Sequence, residues 1–545
     1  MSIQVETSAT GSHIPLRGVE RMLTAFDGAS VKIAHSMLVR VDTALLLRFL
    51  PIAVINTFDM HPRMRALQLK IPHFTAEVQA PITINTLTNL LHVRILTPAD
   101  YGDGSPTSWQ AFVEKECSVS FDRYRQLPFY LHVWIAKRKG TARLMLFSDQ
   151  YMSDGFSGVV VLNCILENIS RLARQTSQGH QNTTTLTMKE LPLRPSLYRM
   201  WLGKVTWIKP LLKGKNAIFG HRIFRSSAQK FKPLLLARKD QKDFAIPPVA
   251  NSTKALFADG DNKCMLKALR RCKEESVSLN GAVIVLALLV FYRVRRDKEH
   301  RGRFYPFKIA MNVDCNMRNQ VPCPAEENHV GMYTATADLE WLHSEGVDML
   351  STRFWDLADR ACREIDAVLK NTFTSARPTI IADQKLNTEM KTSFFRKICI
   401  ANSNTADVGI AELIQYPFEK HHSLSCNVGR RSRSGTLTGE ESRLKIISTD
   451  PERHPSSPRP LSNMHSTSHH ELSVETVHVF KAQPHLAPLV TIHLSSVNSF
   501  CYSMAHKVEA EVGNNLFTMF VLLCESLGSI EGNENLIDVF ARLNE

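Results

Sequence analysis

The chain has 545 residues, with 66 Lys and Arg against 52 Asp and Glu, so its formal net charge is +14. Hydrophobic residues make up 44% and charged residues 22%, an ordinary globular balance that excludes a mostly disordered chain and a fibrous one. This length predicts two or more domains, or one large two-lobed fold.

The cysteines and the N-terminus indicate the compartment. There are 11 Cys, and none lies in a CxxC pair, which favours free thiols in a reducing compartment over a secreted disulfide scaffold. Met1 to His13 lacks the apolar core of a signal peptide. The longest uninterrupted apolar run, Ala282–Tyr292, is well short of the roughly 20 residues that a membrane span needs. We therefore expect a cytoplasmic protein and interpret this run as a buried helix.

The first predicted helix begins near residue 42. Asp42 or Thr43 can cap a helix that extends to Met60 and buries one apolar face. Pro51 lies inside it, so we expect a kink or a new start at that position. The segment 61–66 follows, and residues 67–69 have the composition of a strand.

A hairpin and a helix are predicted next. Residues 131–136 alternate as in a strand, Lys139-Gly140 makes the turn, and 144–147 forms the return strand. Apolar residues between 162 and 172 then recur at helical spacing. The segment Asp149–Gly155 therefore falls in a strand-to-helix connection, where rigid elements on both sides often hold functional groups.

The rest of the chain predicts a long crossover and a second α/β unit. Residues 175–251 are irregular and basic, with one apolar helix around 198–212. Residues 430–473 are rich in Ser, Pro, Arg and His and have few large apolar residues, which is typical of a disordered insertion. The other predicted elements are a helix at 279–292, a strand at 307–313, a helix at 349–369, strands at 398–404, 477–480 and 490–494, and a helix at 508–527.

Six segments of the sequence, in the same order along the chain as in the family, resemble the chloramphenicol-acetyltransferase-like superfamily. The resemblance is closest to its stand-alone, alcohol-acetyltransferase-like members. The superfamily also contains the condensation domains of peptide synthetases. Its signature, His-His-x-x-x-Asp-Gly after a hairpin, is matched by Asp149–Gly155. The other matching segments are His61–Arg65, Ser276–Asn280, Asn316–Arg318, Val330–Tyr333 and Asn402–Asn404 with Gly409.

The resemblance implies a mixed α/β fold of two sandwich lobes with a central tunnel between them. The lobes would be residues 1–174 and 252–545, joined by the crossover 175–251 and carrying the insertion at about 430–473. The implied activity is transfer of an acyl group, acetyl in the first instance, from acyl-CoA to an alcohol or amine. Acyl-CoA would be a co-substrate, and neither a permanently bound cofactor nor a metal is implied.

The catalytic signature is degenerate in this sequence. In the family the second His is the general base, and here that position is Gln150, while the first His is replaced by Asp149. Asp154 and Gly155 match, and Arg318 is the expected structural partner of Asp154. A Gln amide cannot take up a proton near neutral pH, and loss of a general base typically costs about 10²–10⁴-fold in rate.

Several interpretations of this departure stay open. The protein could be a weak acyltransferase or one with another base, Asp149 being the nearest candidate, or a non-catalytic acyl-CoA-binding or scaffold protein. It could also be a condensation-type enzyme that acts in trans on carrier-bound acyl groups. A further possibility is that the functional protein has a different sequence at this loop.

Other conspicuous residues are expected to be structural. His61 would pack at a helix end, and His421-His422 would lie in a polar stretch at the edge of the second lobe. The helix at 198–212 suits a membrane surface, but it suits a packed crossover helix better, so membrane contact is the secondary expectation. The basic stretches lack interleaved aromatic residues, so we expect no nucleic-acid partner, and we expect a monomer.

Overall fold

The computed structural model describes residues 10–24, 30–72, 74–97, 100, 108–177, 189–202, 234–238, 253–298, 306–320, 328–370, 406–411, 413–424, 471–482 and 488–542. The strands, numbered over these residues, are β1 (His13–Pro15), β2 (Lys32–Arg40), β3 (Ala66–Gln68), β4 (Thr75–Val78), β5 (Leu91–Ile95), β6 (Phe129–Ala136), β7 (Thr141–Asp149), β8 (Lys254–Asp259), β9 (Met311–Asn316), β10 (Thr334–Asp338), β11 (Val408–Ala411), β12 (Ile414–Gln415), β13 (His421–Ser423), β14 (Glu471–Lys481), β15 (Val490–Ser496) and β16 (Phe500–His506). The helices are α1 (Val19–Leu23), α2 (Thr43–Met60), α3 (Ile84–Leu87), α4 (Trp109–Cys117), α5 (Gly155–Ser177), α6 (Leu197–Leu202), α7 (Asn262–Glu274), α8 (Leu279–Lys298), α9 (Glu340–Ser344), α10 (Phe354–Lys370), α11 (Ala510–Ser526) and α12 (Leu536–Ala541).

The first sheet has the strand order β13-β14-β2-β7-β6-β5. Its neighbours are antiparallel except β5 and β6, which run parallel, so the sheet is mixed. The predicted hairpin is β6 and β7, joined by a 3₁₀ turn at Lys137–Lys139 and by Gly140, whose φ of 61° is left-handed. The prediction of a strand, a turn and a return strand is confirmed, and both strands are longer than predicted.

Helices α2 and α5 cover one face of the first sheet and form its core. Asp42 caps α2, because its Oδ1 accepts the N–H groups of Ala44 at 2.9 Å and Leu45 at 3.2 Å. The predicted cap is present. The helix does not restart at Pro51, because α2 runs through that residue as one helix.

Among the residues that the structure describes, two helical segments are long and apolar enough to cross a membrane, Thr43–Met60 and Gly155–Thr176. Helix α7 with the first part of α8 meets the same criterion as a bent pair. Of the segment within α5, 83% is buried inside the protein. The apolar surface of α5 is therefore used in the core of the first sheet.

The second sheet has the order β10-β9-β11-β15-β16-β8, and β12 pairs with β15. It is also mixed, because β11 runs parallel to both of its neighbours. Helices α8, α10 and α11 contribute to its core. The predicted buried helix at 279–292 is confirmed and continues to Lys298. The strand predicted at 307–313 is instead Met311–Asn316, and the helix predicted from 349 begins at Phe354.

The two sheets do not follow the expected division of the chain. Strands β13 and β14 come from the C-terminal segment but complete the first sheet, where β14 pairs with β2. The opposite face of the first sheet packs on the second sheet through a small aromatic core that includes Phe147, Phe480 and Phe257. Glu471–Ser473, which were predicted to be the end of the insertion, are instead strand residues of β14. A third, small sheet has the order β1-β4-β3.

Some sequence predictions fall outside the described residues. These are the strand at 398–404, most of the crossover 175–251, most of the helix at 198–212, and the insertion up to residue 470. The described part of the crossover helix is α6.

Candidate functional site

Residues Asp149–Gly155, the motif loop, connect the end of β7 to the start of α5, as predicted. The loop begins with a tight turn, in which the Met152 N–H donates to the Asp149 carbonyl at 3.0 Å. It is tied to the residue just before β2, because the Gln150 N–H donates to the Val31 carbonyl at 2.9 Å. A Cβ on Gly155 would lie 3.2 Å from Cδ1 of Ile414, so glycine here permits close approach of the second sheet.

A buried ion pair joins the end of this loop to the second sheet. Arg318 Nη1 donates to Asp154 Oδ2 at 3.0 Å and Nη2 donates to Oδ1 at 3.1 Å. The backbone N–H groups of Ser157 and Tyr333 donate to the same carboxylate at 2.7 and 2.9 Å. Burial alone would raise the pKa of Asp154, but Arg318 and these donors outweigh it and hold the pKa below its ordinary value. The predicted pairing of Asp154 with Arg318 is thus present.

A second buried ion pair holds the start of the loop. Arg123 Nε donates to Asp149 Oδ2 at 2.7 Å, and Nη2 donates to Oδ1 at 3.4 Å. The Asp149 side chain is 0% exposed, so neither carboxylate oxygen can meet a substrate. Burial lowers the pKa of Arg123, but Asp149 outweighs it and the pKa is raised. This geometry does not support Asp149 as a substitute base, because the carboxylate serves as the partner of a structural arginine.

A third arginine lies against the middle of the loop. Arg63 donates to Glu20 at 2.8 Å in a pair that is buried on both sides, and it contacts Met152 Sδ at 3.6 Å. Arg63 belongs to a 3₁₀ turn at Pro62–Arg65 that follows α2. The segment His61–Arg65 matches the family resemblance, but nothing in its sequence indicated that Arg63 contacts the loop. The motif loop is therefore held at its start, middle and end by Arg123, Arg63 and Arg318, which we call the arginine clamp.

No protein-family model and no curated protein matches the sequence. Solved structures match it along almost its whole length. TRI3 trichothecene 15-O-acetyltransferase from Fusarium sporotrichioides has a TM-score of 0.61, covering 94% of this chain and 97% of that chain at 11% identity. The first condensation domain of the calcium-dependent antibiotic synthetase has a TM-score of 0.55, covering 97% of this chain and 98% of that one at 11% identity. Polyketide synthase associated protein 5 from Mycobacterium tuberculosis has 0.53, covering 95% and 99% at 14% identity. The chain has the chloramphenicol-acetyltransferase-like fold.

Gln150 is the residue that the sequence resemblance places at the base position of the family signature. It is half-buried, whereas all the other side chains from Asp149 to Asp154 are buried. Within the described part of the chain, no hydrogen bond of the Gln150 side chain is present. The amide can donate to a carbonyl oxygen and accept from an N–H or O–H, but it cannot take a proton from a nucleophile. The role of Gln150 in catalysis stays a prediction.

Two buried histidines lie close to the loop without replacing the missing base. His35 Nε2 is 2.7 Å from the Gly155 carbonyl oxygen, and its ring packs so tightly against α5 that a Cβ on Gly158 would lie 2.1 Å from it. Burial lowers the pKa of His35 to about 4. His61 is buried at the end of α2, and burial together with nearby His329 lowers its pKa to about 3. Both rings are enclosed in protein, which suits packing roles, as expected for His61.

The pair His421-His422 lies on β13, at the edge of the first sheet rather than of the second. His421 is exposed and its Nδ1 lies 2.8 Å from a carboxylate oxygen of Glu471, and His422 is buried. Neither lies in a strand-to-helix loop like that of Gln150.

A cavity of about 520 Å³ lies between helix α4 and strand β8 of the second sheet. Its lining is polar and includes Glu114, Lys115 and Lys254. No residue of the motif loop belongs to this lining. The cavity is therefore distinct from the expected tunnel around Gln150, which stays a prediction.

Proposed function

We propose that this protein transfers an acyl group from acyl-CoA to a small amine or alcohol bound between the two sheets. The observation that carries the proposal is the motif loop. It has the place in the fold, the Asp154–Arg318 pair and the helix start that the family resemblance implies, and residue 150 alone between Asp149 and Asp154 is not buried. Acetyl is the simplest acyl group to test.

The missing base favours an amine acceptor over an alcohol. A neutral amine attacks a thioester with its own lone pair, whereas a hydroxyl is a weak nucleophile until a base takes its proton. In the transfer the C–N bond forms, the C–S bond breaks, and the departing CoA thiolate takes up the proton that the acylated amine loses. The Gln150 amide can hydrogen-bond the thioester carbonyl or orient the amine, and positioning of this kind lowers the barrier without any proton transfer by the protein.

The test is thiol release from acetyl-CoA with panels of small amines and small alcohols. We expect the wild-type protein to accelerate release with an amine, and we expect Gln150→His to raise the rate with an alcohol by about 10²–10⁴-fold, the contribution of a general base. Gln150→Asn is the matched control, because it keeps an amide and supplies no base. A carrier-bound acetyl thioester tested in parallel would identify the condensation-type alternative. If neither wild type nor Gln150→His accelerates release with any acceptor or donor, the proposal is refuted.

A second candidate is a non-catalytic acyl-CoA-binding protein of the same fold. The observation that favours it is the ion pair of Asp149 with Arg123, which leaves the motif loop without an available proton acceptor. A rise in melting temperature with CoA or acetyl-CoA, without thiol release in either protein, would support this function. Absence of both effects would exclude both candidates.

A further inference from the structure

Three potential metal ligands meet where the two sheets pack together. Asp259 on β8 and Cys501 on β16 are directly opposite each other in the second sheet, so their side chains lie on the same face. His478, on β14 of the first sheet, reaches this face from the other side. A carboxylate oxygen, a ring nitrogen and the sulfur all lie within 4.8 Å of one another.

The hydrogen bonds of His478 define what its two ring nitrogens can do. Nδ1 is 3.3 Å from the Tyr502 carbonyl oxygen, and Nε2 is 2.9 Å from Asp259 Oδ1. When Nδ1 donates to that carbonyl, which only accepts, a neutral ring presents the lone pair of Nε2 to the Asp259 carboxylate. In that tautomer a metal ion can lie between the two acceptors, whereas in the other tautomer the Nε2–H donates to Asp259 directly. An imidazole that donates its other N–H to a backbone carbonyl is the usual arrangement at a metal site.

The surroundings also suit a metal site. The rings of Trp109 and Phe257 lie 5.3 and 5.7 Å from the His478 ring and shield it from water. The Asp259 side chain is 61% exposed, which provides a path for an ion to enter. Tetrahedral zinc, with bonds of about 2.0–2.3 Å, places its ligand atoms about 3.3–3.6 Å apart. The three ligand atoms lie within 4.8 Å of one another, so shifts of up to about 1 Å would bring them to that spacing.

Arg143 is a cation beside this cluster. It is half-buried, stacks on Trp109 at 4.2 Å and interacts electrostatically with both Asp259 and Cys501. Burial raises the pKa of the Cys501 thiol and Arg143 opposes that rise, so a bound metal ion would supply the rest of the stabilisation that the thiolate needs.

We infer that Asp259, His478 and Cys501 form a zinc site that links the two sheets, with water as the fourth ligand. Thiolate and imidazole ligands select zinc or a similar transition metal over magnesium or calcium. This inference does not depend on the proposed acyl transfer. The bound ion would connect β14 to β8 and β16 and so stabilise the contact between the two halves.

The experiment is a Co²⁺ titration of the full-length protein after treatment with a chelator. We expect one Co²⁺ per chain and a near-ultraviolet thiolate-to-cobalt charge-transfer band that Zn²⁺ abolishes by competition. Zn²⁺ should also raise the melting temperature. Cys501→Ser should lose the band, whereas Cys164→Ser should keep it, because Cys164 is also buried but belongs to no such cluster of ligands among the described residues.

Asp259→Asn is a second variant. Because the Asp259 side chain is exposed, this variant should fold even if Cys501→Ser does not, and the metal site can then still be tested. It should retain the fold and weaken Co²⁺ binding by about tenfold or more, since even outer-shell changes cost that much. Absence of a thiolate band in the wild type would overturn the inference. A band that survives in Cys501→Ser, or full affinity in Asp259→Asn, would also overturn the inference.

Discussion

Replacing Arg318 by Met should destabilise the protein strongly. Arg318 and Asp154 are 1% and 2% exposed, and the substitution leaves the Asp154 carboxylate buried with only the N–H donors of Ser157 and Tyr333. Breaking a buried pair by removing one partner costs about 3–5 kcal/mol, because the remaining charge is uncompensated. Replacing both residues, as Asp154→Asn with Arg318→Met, removes that charge and should recover much of the loss.

The pH dependence adds a second readout. In the wild type the pKa of Asp154 is depressed, so the contribution of the pair is present above the unfolded pKa of about 3.9 and lost only as pH falls through the folded-state pKa. In Arg318→Met, burial without the arginine raises the pKa of Asp154 above its unfolded value. The folded variant then takes up a proton before the unfolded chain does, so its deficit relative to wild type should shrink between pH 7 and pH 5.

The assay is urea unfolding at both pH values, comparing midpoints and slopes. Arg363→Met is the matched control, because Arg363 pairs with Asp359 at 3.0 Å but is 72% exposed. An exposed pair of this kind contributes at most about 1 kcal/mol. If Arg318→Met is no more destabilised than Arg363→Met at pH 7, the buried pair of Arg318 with Asp154 does not stabilise the fold as proposed.

Three further outcomes follow from the same structure. Arg123→Met should cost about 3–5 kcal/mol in urea unfolding, because it strands the fully buried Asp149 carboxylate, and adding Asp149→Asn should restore part of it. Gly158→Ala should cost about 1–3 kcal/mol by overpacking, since its Cβ would meet the His35 ring at 2.1 Å, and a double variant with His35→Ala should be less affected than the sum of the single variants. With folded-state pKa values of about 4 for His35 and about 3 for His61, the unfolded chain binds protons first as pH falls below about 6.5. Each histidine should therefore lower the unfolding free energy by about 2 kcal/mol between pH 7 and pH 5, and His35→Leu should show a correspondingly smaller loss.

The sequence predicted those parts of the fold that depend on nearby residues. The hairpin of β6 and β7 could be predicted because the alternation of apolar and polar residues and the Gly turn lie within one short segment. The α2 cap could be predicted because it depends only on Asp42 and its neighbours. The sequence could not predict that β14 belongs to the first sheet. Its pairing with β2 joins residues such as Arg40 and Glu475, which are 435 positions apart, and strand propensity carries no information about such a partner.

The candidate site shows the same limit. The pairing of Asp154 with Arg318 could be predicted because each residue lies in a segment that resembles a family motif. Arg123 carries no such context, and only the folded chain shows that it lies beside Asp149. His35 lies in a mostly buried strand that also contains the buried Lys32 and Ser36, so the sequence carried only a weak signal that its ring is enclosed, and no signal that it packs beneath α5.

The arginine clamp separates the shape of the motif loop from its acid–base chemistry. Each arginine acts on a residue other than Gln150: Arg123 on Asp149, Arg63 on Met152 and Arg318 on Asp154. A change at residue 150 therefore alters the chemistry of the site without removing any of the ion pairs that hold the loop. For this reason Gln150→His should leave stability within about 0.5 kcal/mol of wild type, as is usual for substitutions outside buried networks. A gain of thiol release in that variant could then be attributed to the imidazole itself rather than to a rearranged loop.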